Sequence, residues 1–543
     1  MEVFSEFALM LAVAAVIGGL GLLLRQPLIV AFIAVGILLG PAGLGLVSAA
    51  DEIELLAQLG ITLLLFMVGL RLDLHLIRNL GPVSLATGLG QVAFTAGVGY
   101  LLALALGFEP LNALYLAVAL TFSSTIIIVK LLSDKREIDS LHGRIAVGFL
   151  IVQDLVVVLA MVALAAMGAD TGVGPAWQQM LQVVLTGLGF LAAIGLAMRY
   201  VLDPLVHRLA RMPEMLILFA IAWAVSLAAL GETLGFSKEV GAFLGGVSLA
   251  STSFRDLIAA RLVSLRDFLL LFFFVELGAQ LDLALVGTEF GAALTLSAFV
   301  LIGNPLIVVA IMGYMGYRAR TGFLAGLTVA QVSEFSLILV ALGFQLGHVG
   351  QNVVGVTTLV ALITITASTY MILYSHPLYA WLSPHLRVFE RSGAVDREAA
   401  LSSASGGVPC DVIVFGTGRF GSVAVNELQR LGLAVMAVDF DPEAARRSRD
   451  CGVTTRFGDA GDPEFLASLP LDEPRWVLSS VRDLPSNEAL LASLRHHGFH
   501  GRVAVVARTE TEAETLENWG VDLVIRPYRA AAQEAAQSLA AAL

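Results

Sequence analysis

IAVGFLIVQDLVVVLAMVALAAM, residues Ile145–Met167, is long enough to span a bilayer as a helix, for which about 20 apolar residues suffice. Its middle holds an amide and a carboxylate, Gln153 and Asp154, and the run is otherwise uncharged. A charged side chain at membrane depth costs on the order of 3 kcal/mol or more, so it marks an ion pathway or a proton relay. The competing reading is a buried ion pair with an Arg or Lys from another segment.

Working outward, the composition describes the same class. Of 543 residues, 57% are hydrophobic and 14% charged, where soluble domains carry roughly 25% charge. Cys410 and Cys451 are the only cysteines, which leaves no disulfide framework and no cysteine-based metal cluster. A net charge of −12 argues against nucleic acid or an anionic membrane surface as partner. The first apolar stretch, 3–24, has no basic region ahead of it and no small-residue cleavage pattern after it, so it reads as a retained helix rather than a signal peptide.

A window of about 20 residues finds thirteen apolar segments, near 3–24, 27–46, 53–70, 82–107, 111–131, 145–167, 178–201, 213–231, 236–252, 264–281, 286–316, 321–346 and 353–376. Loops after odd segments are basic: Arg25; Arg71 and Arg78; Lys135, Arg136 and Arg144; Arg208 and Arg211; Arg255 and Arg261; Arg318 and Arg320. Loops after even segments hold Asp51, Glu52, Glu109, Asp170, Glu232, Asp282 and Glu289, with Lys238 the exception. A multi-pass protein of the cell (inner) membrane is expected, and the positive-inside rule puts its N-terminus outside and its C-terminal part in the cytoplasm.

Two segments are unusually polar. Segment five carries Thr121, Phe122, Ser123, Ser124 and Thr125; segment twelve carries Thr328, Gln331, Ser333 and Glu334 within TVAQVSEFSLILV. They stand seven apart in an odd-numbered topology, so a repeat of segments one to six onto eight to thirteen is inverted. Inverted repeats with a broken helix in each half place an ion site at the midplane. The plainer reading is that these hydroxyls bond their own helix or glue neighbours. Glu334 reads either as neutraliser of the helix ends or as an ion contact. Glu276 reads as a structural partner, and Lys238-Glu239 as an outer-surface feature with a snorkelling Lys.

The composition changes after Tyr379, and three regions are expected: a transmembrane exchange domain, 1–382; a Ser/Gly-rich linker, 383–409; and a soluble domain, 410–543. In the last, the apolar strand DVIVFG (411–416) runs into Gly416-Thr-Gly418-Arg419-Phe420-Gly421, then a helical run, then AVMAVDF with Asp439. Strand, glycine turn, helix N-terminus and an acid about 20 residues on form a dinucleotide fingerprint in its required context. Further strands at 453–459, 475–481, 502–508 and 521–527 alternate with helical stretches, which predicts a parallel doubly wound sheet of about six strands. The domain ends without room for a catalytic half, so nucleotide binding without catalysis is expected and no catalytic residue is assigned.

These residues resemble the monovalent cation:proton antiporter-2 family, and within it the Kef-type potassium/proton antiporters with a C-terminal nucleotide-binding (TrkA-N, or RCK-N) domain. The matching stretches are LIVAFIAVGILLGPAGLGLV (28–47), LAQLGITLLLFMVGLRLD (56–73), ALTFSSTIIIVKLL (119–132), HGRIAVGFLIVQDLVVV (142–158), VGAFLGGVSLAS (240–251), AQVSEFSLIL (330–339) and GTGRFG (416–421). The resemblance implies a polytopic α-helical domain with crossed broken helices followed by a soluble α/β Rossmann-like domain. It also implies a homodimer, an elevator-like motion and exchange of K⁺ or Na⁺ for H⁺ across the bilayer.

Electrogenic relatives look to carry two adjacent aspartates where this chain has Gln153-Asp154, and some carry a lysine where it has Asn304. One carboxylate holding either a proton or a cation favours one-for-one, electroneutral exchange. Asp154 is then the ion and proton carrier, with Gln153, Ser123, Ser124, Thr121, Ser333 and Glu334 around it, and the transported cation is the only metal. In the soluble domain the resemblance assigns nucleotide contact to Gly416, Gly418, Arg419, Phe420, Gly421 and Asp439, and to Asp459 and Ala460 of GDAGD (458–462). A regulatory nucleotide, NAD(H) or AMP/ATP, would gate transport, with room for an ancillary subunit. The alternatives are a nucleotide-gated potassium channel-like protein, which lacks a TVGYG-like filter here, and a Na⁺/H⁺ antiporter. No residue matches a glutathione site.

Overall fold

Apolar side chains on all faces drive the described part of residues 3–389 into helices, because a bilayer offers no partner for a bare backbone group. The computed structural model describes residues 3–41, 43–46, 50–71, 82–135, 137–138, 140–167, 186, 189–190, 192–210, 212–234, 238–280, 283–389, 410–461, 465–466 and 469–542. Part of segment seven and residues 390–409 of the expected linker lie outside these. One unit comprises Met1–Arg136, Ile145–Met312 and Gly322–Arg387; the other comprises Glu137–Arg144, Gly313–Thr321 and Val388–Leu543.

The helices of the apolar region are α1 (Val3–Leu23), α2 (Leu28–Leu39), α3 (Ala50–Arg71), α4 (Pro82–Ala105), α5 (Pro110–Ala119), α6 (Thr125–Asp134), α7 (Leu141–Met167), α8 (Asp203–Leu209), α9 (Pro213–Thr233), α10 (Lys238–Ala250), α11 (Arg255–Ala279), α12 (Leu283–Ala298), α13 (Asn304–Tyr314), α14 (Ala319–Leu327), α15 (Glu334–Gln345), α16 (Gln351–Leu373) and α17 (Ser375–Leu386). Among the described residues, seven helices are long and apolar enough to cross a membrane; α2, α5 and α15 are shorter apolar helices. Pro82, Pro110 and Pro213 stand at first helical positions, where the missing N–H costs nothing.

Three segments depart from the sequence reading. Segment two is helical only to Leu39, because Gly40 is forced extended (ψ 179°) ahead of Pro41. Arg255 and Arg261, expected in a loop, lie within α11, which begins ahead of segment ten's apolar core. Segment eleven is interrupted by a π-helical turn, Phe299–Gly303, that delivers Asn304 to the start of α13.

Small residues let α3, α10 and α11 pack backbone to backbone. A methyl on Gly246 of α10 would lie 1.9 Å from the Phe66 carbonyl oxygen of α3, and one on Gly36 of α2 would lie 2.1 Å from the Val275 carbonyl oxygen. Gly246→Ala therefore forces two buried helices apart, and we expect about 2–3 kcal/mol of lost stability, read as a lower midpoint of thermal unfolding of the purified protein.

The second unit folds as a six-stranded parallel sheet of order β3-β2-β1-β4-β5-β6. Its strands are β1 (Val412–Phe415), β2 (Val435–Asp439), β3 (Thr454–Phe457), β4 (Trp476–Ser479), β5 (Arg502–Val506) and β6 (Leu523–Ile525). Alternate residues bury on opposite faces: Ile413, Phe415, Val477 and Val505 on one side, Val412, Val414, Leu478 and Ala504 on the other. That two-sided burial is why the strands read as continuous apolar runs rather than alternating ones. The strand order reverses between β1 and β4, which opens a crevice at their carboxyl ends.

Candidate functional site

Both polar segments are broken helices, and the breaks meet. α5 ends at Ala119 and α6 starts at Thr125; α14 ends at Leu327 and α15 starts at Glu334. The Ser333 N–H donates to the Phe122 carbonyl at 2.9 Å, joining one linker to the other. Serines supply the restarts: Ser124 Oγ accepts from the Ile127 N–H at 3.3 Å and Ser333 Oγ from the Phe335 N–H at 3.1 Å, as N-caps do. Thr121 Oγ1 donates to the Val118 carbonyl at 2.7 Å. So three of the hydroxyls expected around the ion serve their own backbone.

Asp154, on α7, faces the break. Its Oδ2 accepts from Thr125 Oγ1 at 3.0 Å, and both residues are half-buried. Thr125 opens α6, so the carboxylate sits against a helix N-terminus whose dipole favours negative charge. The ends of α5 and α14 bring carbonyls to the same crossing, which suits a cation. Among the fully buried polar atoms of this region without a hydrogen-bond partner are Ser123 Oγ, Glu334 Oε1, Ser336 Oγ and Gln331 Nε2, and Glu334 Oε2 lies 3.4 Å from Ser333 Oγ. Orphaned oxygens of this kind call for a ligand or a water.

Neighbouring helices hold the linkers. The Val332 N–H donates to Thr364 Oγ1 at 3.2 Å, and Ser368 Oγ donates to Gln331 Oε1 at 3.0 Å, both from α16. On the other side, Gln153 Oε1 accepts from the Ser123 N–H at 3.1 Å, Gln153 Nε2 donates to Gln91 Oε1 at 2.6 Å, and Asn304 Nδ2 donates to the Val329 carbonyl at 3.2 Å. Gln91 of α4 and its neighbour Thr95 escaped the sequence reading, as did the contact of Thr125 with Asp154. Glu276 of α11 accepts from Gln280, the helix C-cap, at 2.8 Å.

In the second unit, β1 enters the glycine turn and α18 (Arg419–Arg430) leaves it. Gly416 adopts φ +82°, open to glycine alone without strain. A methyl on Gly421 would lie 1.8 Å from the Gly416 carbonyl oxygen, whereas one on Gly418 would meet nothing within 4 Å. Gly418 caps α18 without a side-chain hydrogen bond, so the turn offers a helix N-terminus over open space, the geometry that receives a phosphate. Arg419 is exposed and Phe420 half-buried beside it.

Asp439 ends β2 beneath this turn. Its Oδ2 accepts from the Thr417 N–H and, at 2.8 Å, from the Thr417 hydroxyl; its Oδ1 accepts from the Asp441 N–H at 2.9 Å. Burial raises its pKa above the ordinary aspartate value, against the pull of those donors. Asp459 Oδ1 accepts from the Gly461 N–H at 2.9 Å while its Oδ2 pairs with Arg320 at 3.0 Å, and Ala460 is buried. Arg144 pairs with Asp441 at 2.9 Å and Glu443 at 3.1 Å, which lowers the Glu443 carboxyl below its ordinary range.

Comparison with known proteins adds two matches along the chain. The transmembrane sodium/hydrogen exchanger family matches residues 10–373, and the TrkA-N domain matches residues 412–527. The chain is 32% identical over 386 residues to the iron transporter MagA of Paramagnetospirillum magneticum, covering 70% of this chain and 88% of that one. It is 26% identical over 499 residues to the glutathione-regulated potassium-efflux system protein KefC of Salmonella schwarzengrund, covering 91% and 78%. It is also 26% identical over 403 residues to K(+) efflux antiporter 6 of Arabidopsis thaliana, covering 73% and 67%.

Proposed function

This chain belongs to the transmembrane sodium/hydrogen exchanger family, in the Kef-type arrangement that adds a TrkA-N domain, and we propose that it exchanges a monovalent cation, K⁺ before Na⁺, for H⁺, one for one. The observation that carries this is Asp154: one carboxylate at the middle of an apolar helix, set where two broken helices meet and bonded to the hydroxyl that opens α6. A single carboxylate binds either a proton or a cation, so the two compete and the loaded site carries the same charge in both directions. Thr125 supplies a neutral oxygen 3.0 Å from the carboxylate, and Ser123 is proposed to supply a second.

The preference for K⁺ is supported by the names of two relatives, which are described as potassium-efflux proteins. A third is described as an iron transporter. Its cargo is not carried over: no group of three or more His, Cys, Asp or Glu fit for a metal occurs among the described residues.

The soluble domain is a nucleotide gate in this proposal: NAD(H) or an adenine nucleotide sits on the turn Gly416–Gly421, contacts Asp439 and Asp459, and biases transport through the linker 383–409 between a domain 1–382 and a domain 410–543. Gating requires different nucleotide affinity for two transport states. A homodimer with its N-terminus outside and this domain in the cytoplasm, moving by an elevator-like mechanism, completes the reading.

The test is proton flux in proteoliposomes of purified protein on adding K⁺ or Na⁺. Cation-dependent proton efflux supports exchange; downhill cation leak without proton movement favours a channel.

A further inference from the structure

Three amides and a hydroxyl form one hydrogen-bonded circuit at the crossing, and its direction is fixed at both ends by backbone. Asn304 is fully buried, and its Nδ2 lies 3.5 Å from the Leu120 carbonyl and 3.2 Å from the Val329 carbonyl. Carbonyls only accept, so the amide nitrogen must face them and Oδ1 must face Thr95, whose hydroxyl donates to it at 2.6 Å. The Thr95 oxygen then accepts from Gln91 Nε2 at 3.0 Å, and that nitrogen also lies 3.3 Å from the Thr121 carbonyl. Gln91 Oε1 is left to accept from Gln153 Nε2 at 2.6 Å. Gln153 Oε1 is left for the Ser123 N–H, a group that only donates, at 3.1 Å.

Working from either end gives the same orientation for every amide. Turning any one of them would set donor against donor or acceptor against acceptor in a buried place, at a cost of about 1–3 kcal/mol. The circuit begins at Ser123 N–H and ends at the Leu120 carbonyl, so it satisfies both sides of the same unwound linker. Coupled bonds of this kind strengthen one another.

We infer that Gln91 is a positioning residue that sets the ion's ligands: by holding the Gln153 amide with its oxygen on Ser123, it keeps that oxygen away from the cation bound at Asp154. This rests on the exchange reading above and changes one part of it. Gln153, expected as an oxygen ligand, becomes a brace, and the cation meets the Asp154 carboxylate with the Thr125 and Ser123 hydroxyls. In this assignment Ser123 Oγ, buried and without a hydrogen-bond partner, is the hydroxyl left to serve the cation while its own N–H is held by Gln153. Gln91 touches neither ion nor proton and acts only through Gln153.

Gln91→Leu tests this, because it removes donor and acceptor at similar volume and frees the Gln153 oxygen to turn. In proteoliposomes the ratio of KM for K⁺ to KM for Na⁺ should shift about tenfold, the effect of one lost hydrogen-bond constraint, with the maximal rate little changed. Thr87→Val, one turn earlier on α4 and also fully buried, lies outside the circuit and should leave the ratio alone. Thr95→Val breaks the circuit one link further on and should shift the ratio in the same direction, which guards against a Gln91 variant that fails to fold. A lower unfolding midpoint with an unchanged KM ratio in both circuit variants would overturn the proposal and leave Gln91 a packing residue.

Cation-dependent thermal stabilisation of the detergent-purified protein, with Li⁺, Na⁺ and K⁺ as probes, reads selectivity without transport. If wild type shows no cation-coupled proton flux, the exchange reading fails. The Gln91 assignment then stands or falls on whether Gln91→Leu alters the order of stabilisation by the three ions.

Discussion

Asp154→Asn abolishes cation-coupled proton movement, lowering the rate at least a hundredfold, while leaving the protein folded. The variant keeps the shape of the side chain and an oxygen to accept from Thr125, 3.0 Å away in the wild type, but removes the only group in the crossing that is proposed to exchange a proton for a cation. Losing the charge forfeits a Coulomb attraction on the order of 4 kcal/mol at about 4 Å and an effective dielectric of about 20, which is more than two powers of ten in occupancy. Stability should hold or rise, because a neutral amide is cheaper to bury than a carboxylate. Proton flux in proteoliposomes and thermal unfolding of the same preparation separate the two effects. Substantial residual coupled flux would place the carrier elsewhere, with Glu334 next in line.

Gly421→Ala disables nucleotide binding and destabilises the sheet domain together. The new methyl would sit 1.8 Å from the Gly416 carbonyl oxygen, so α18 must pull away from β1, at about 2–3 kcal/mol of domain stability. Gly418→Ala makes the contrast. Its backbone (φ −65°, ψ −157°) suits any residue, and its methyl would meet nothing within 4 Å, so the unliganded domain keeps its stability while the methyl occupies phosphate space. Calorimetric titration with NAD(H) and adenine nucleotides, beside thermal unfolding, should show weak binding in both variants and a lowered midpoint only in the first. Unchanged nucleotide affinity in Gly418→Ala would move the ligand off this turn.

How much of this was legible in sequence depends on how far apart the partners lie. Asp154 announced itself because its cost is local: one charge in an apolar run. The helix breaks were legible in Thr121–Thr125 and in Thr328–Glu334, where hydroxyls compete for backbone groups, and the glycine turn was legible because strand, turn and helix are contiguous. The sheet followed from its apolar runs. Gln91, Thr95 and Asn304 were another matter: Thr95 meets Asn304 across 209 residues and Gln153 meets Gln91 across 62, and a lone amide in an apolar helix carries no mark of its partner. Resemblance cast Asn304 only as a missing lysine, and the structure shows it bonding the carbonyls of both linkers. Segment boundaries were misread where charge enters a helix, as at Arg255 and Arg261 of α11, because hydropathy reports the membrane-embedded part and not the helix.

The central claim is that one carboxylate exchanges one cation for one proton, and the null point of flux tests it most directly. Proteoliposomes are prepared with a fixed pH difference, the cation gradient is varied until proton movement stops, and the measurement is repeated with an imposed membrane potential. One-for-one exchange predicts balance at a cation gradient of about tenfold per pH unit, unmoved by potential. A null point that shifts with voltage, or a gradient that never stops the flux, would contradict the account.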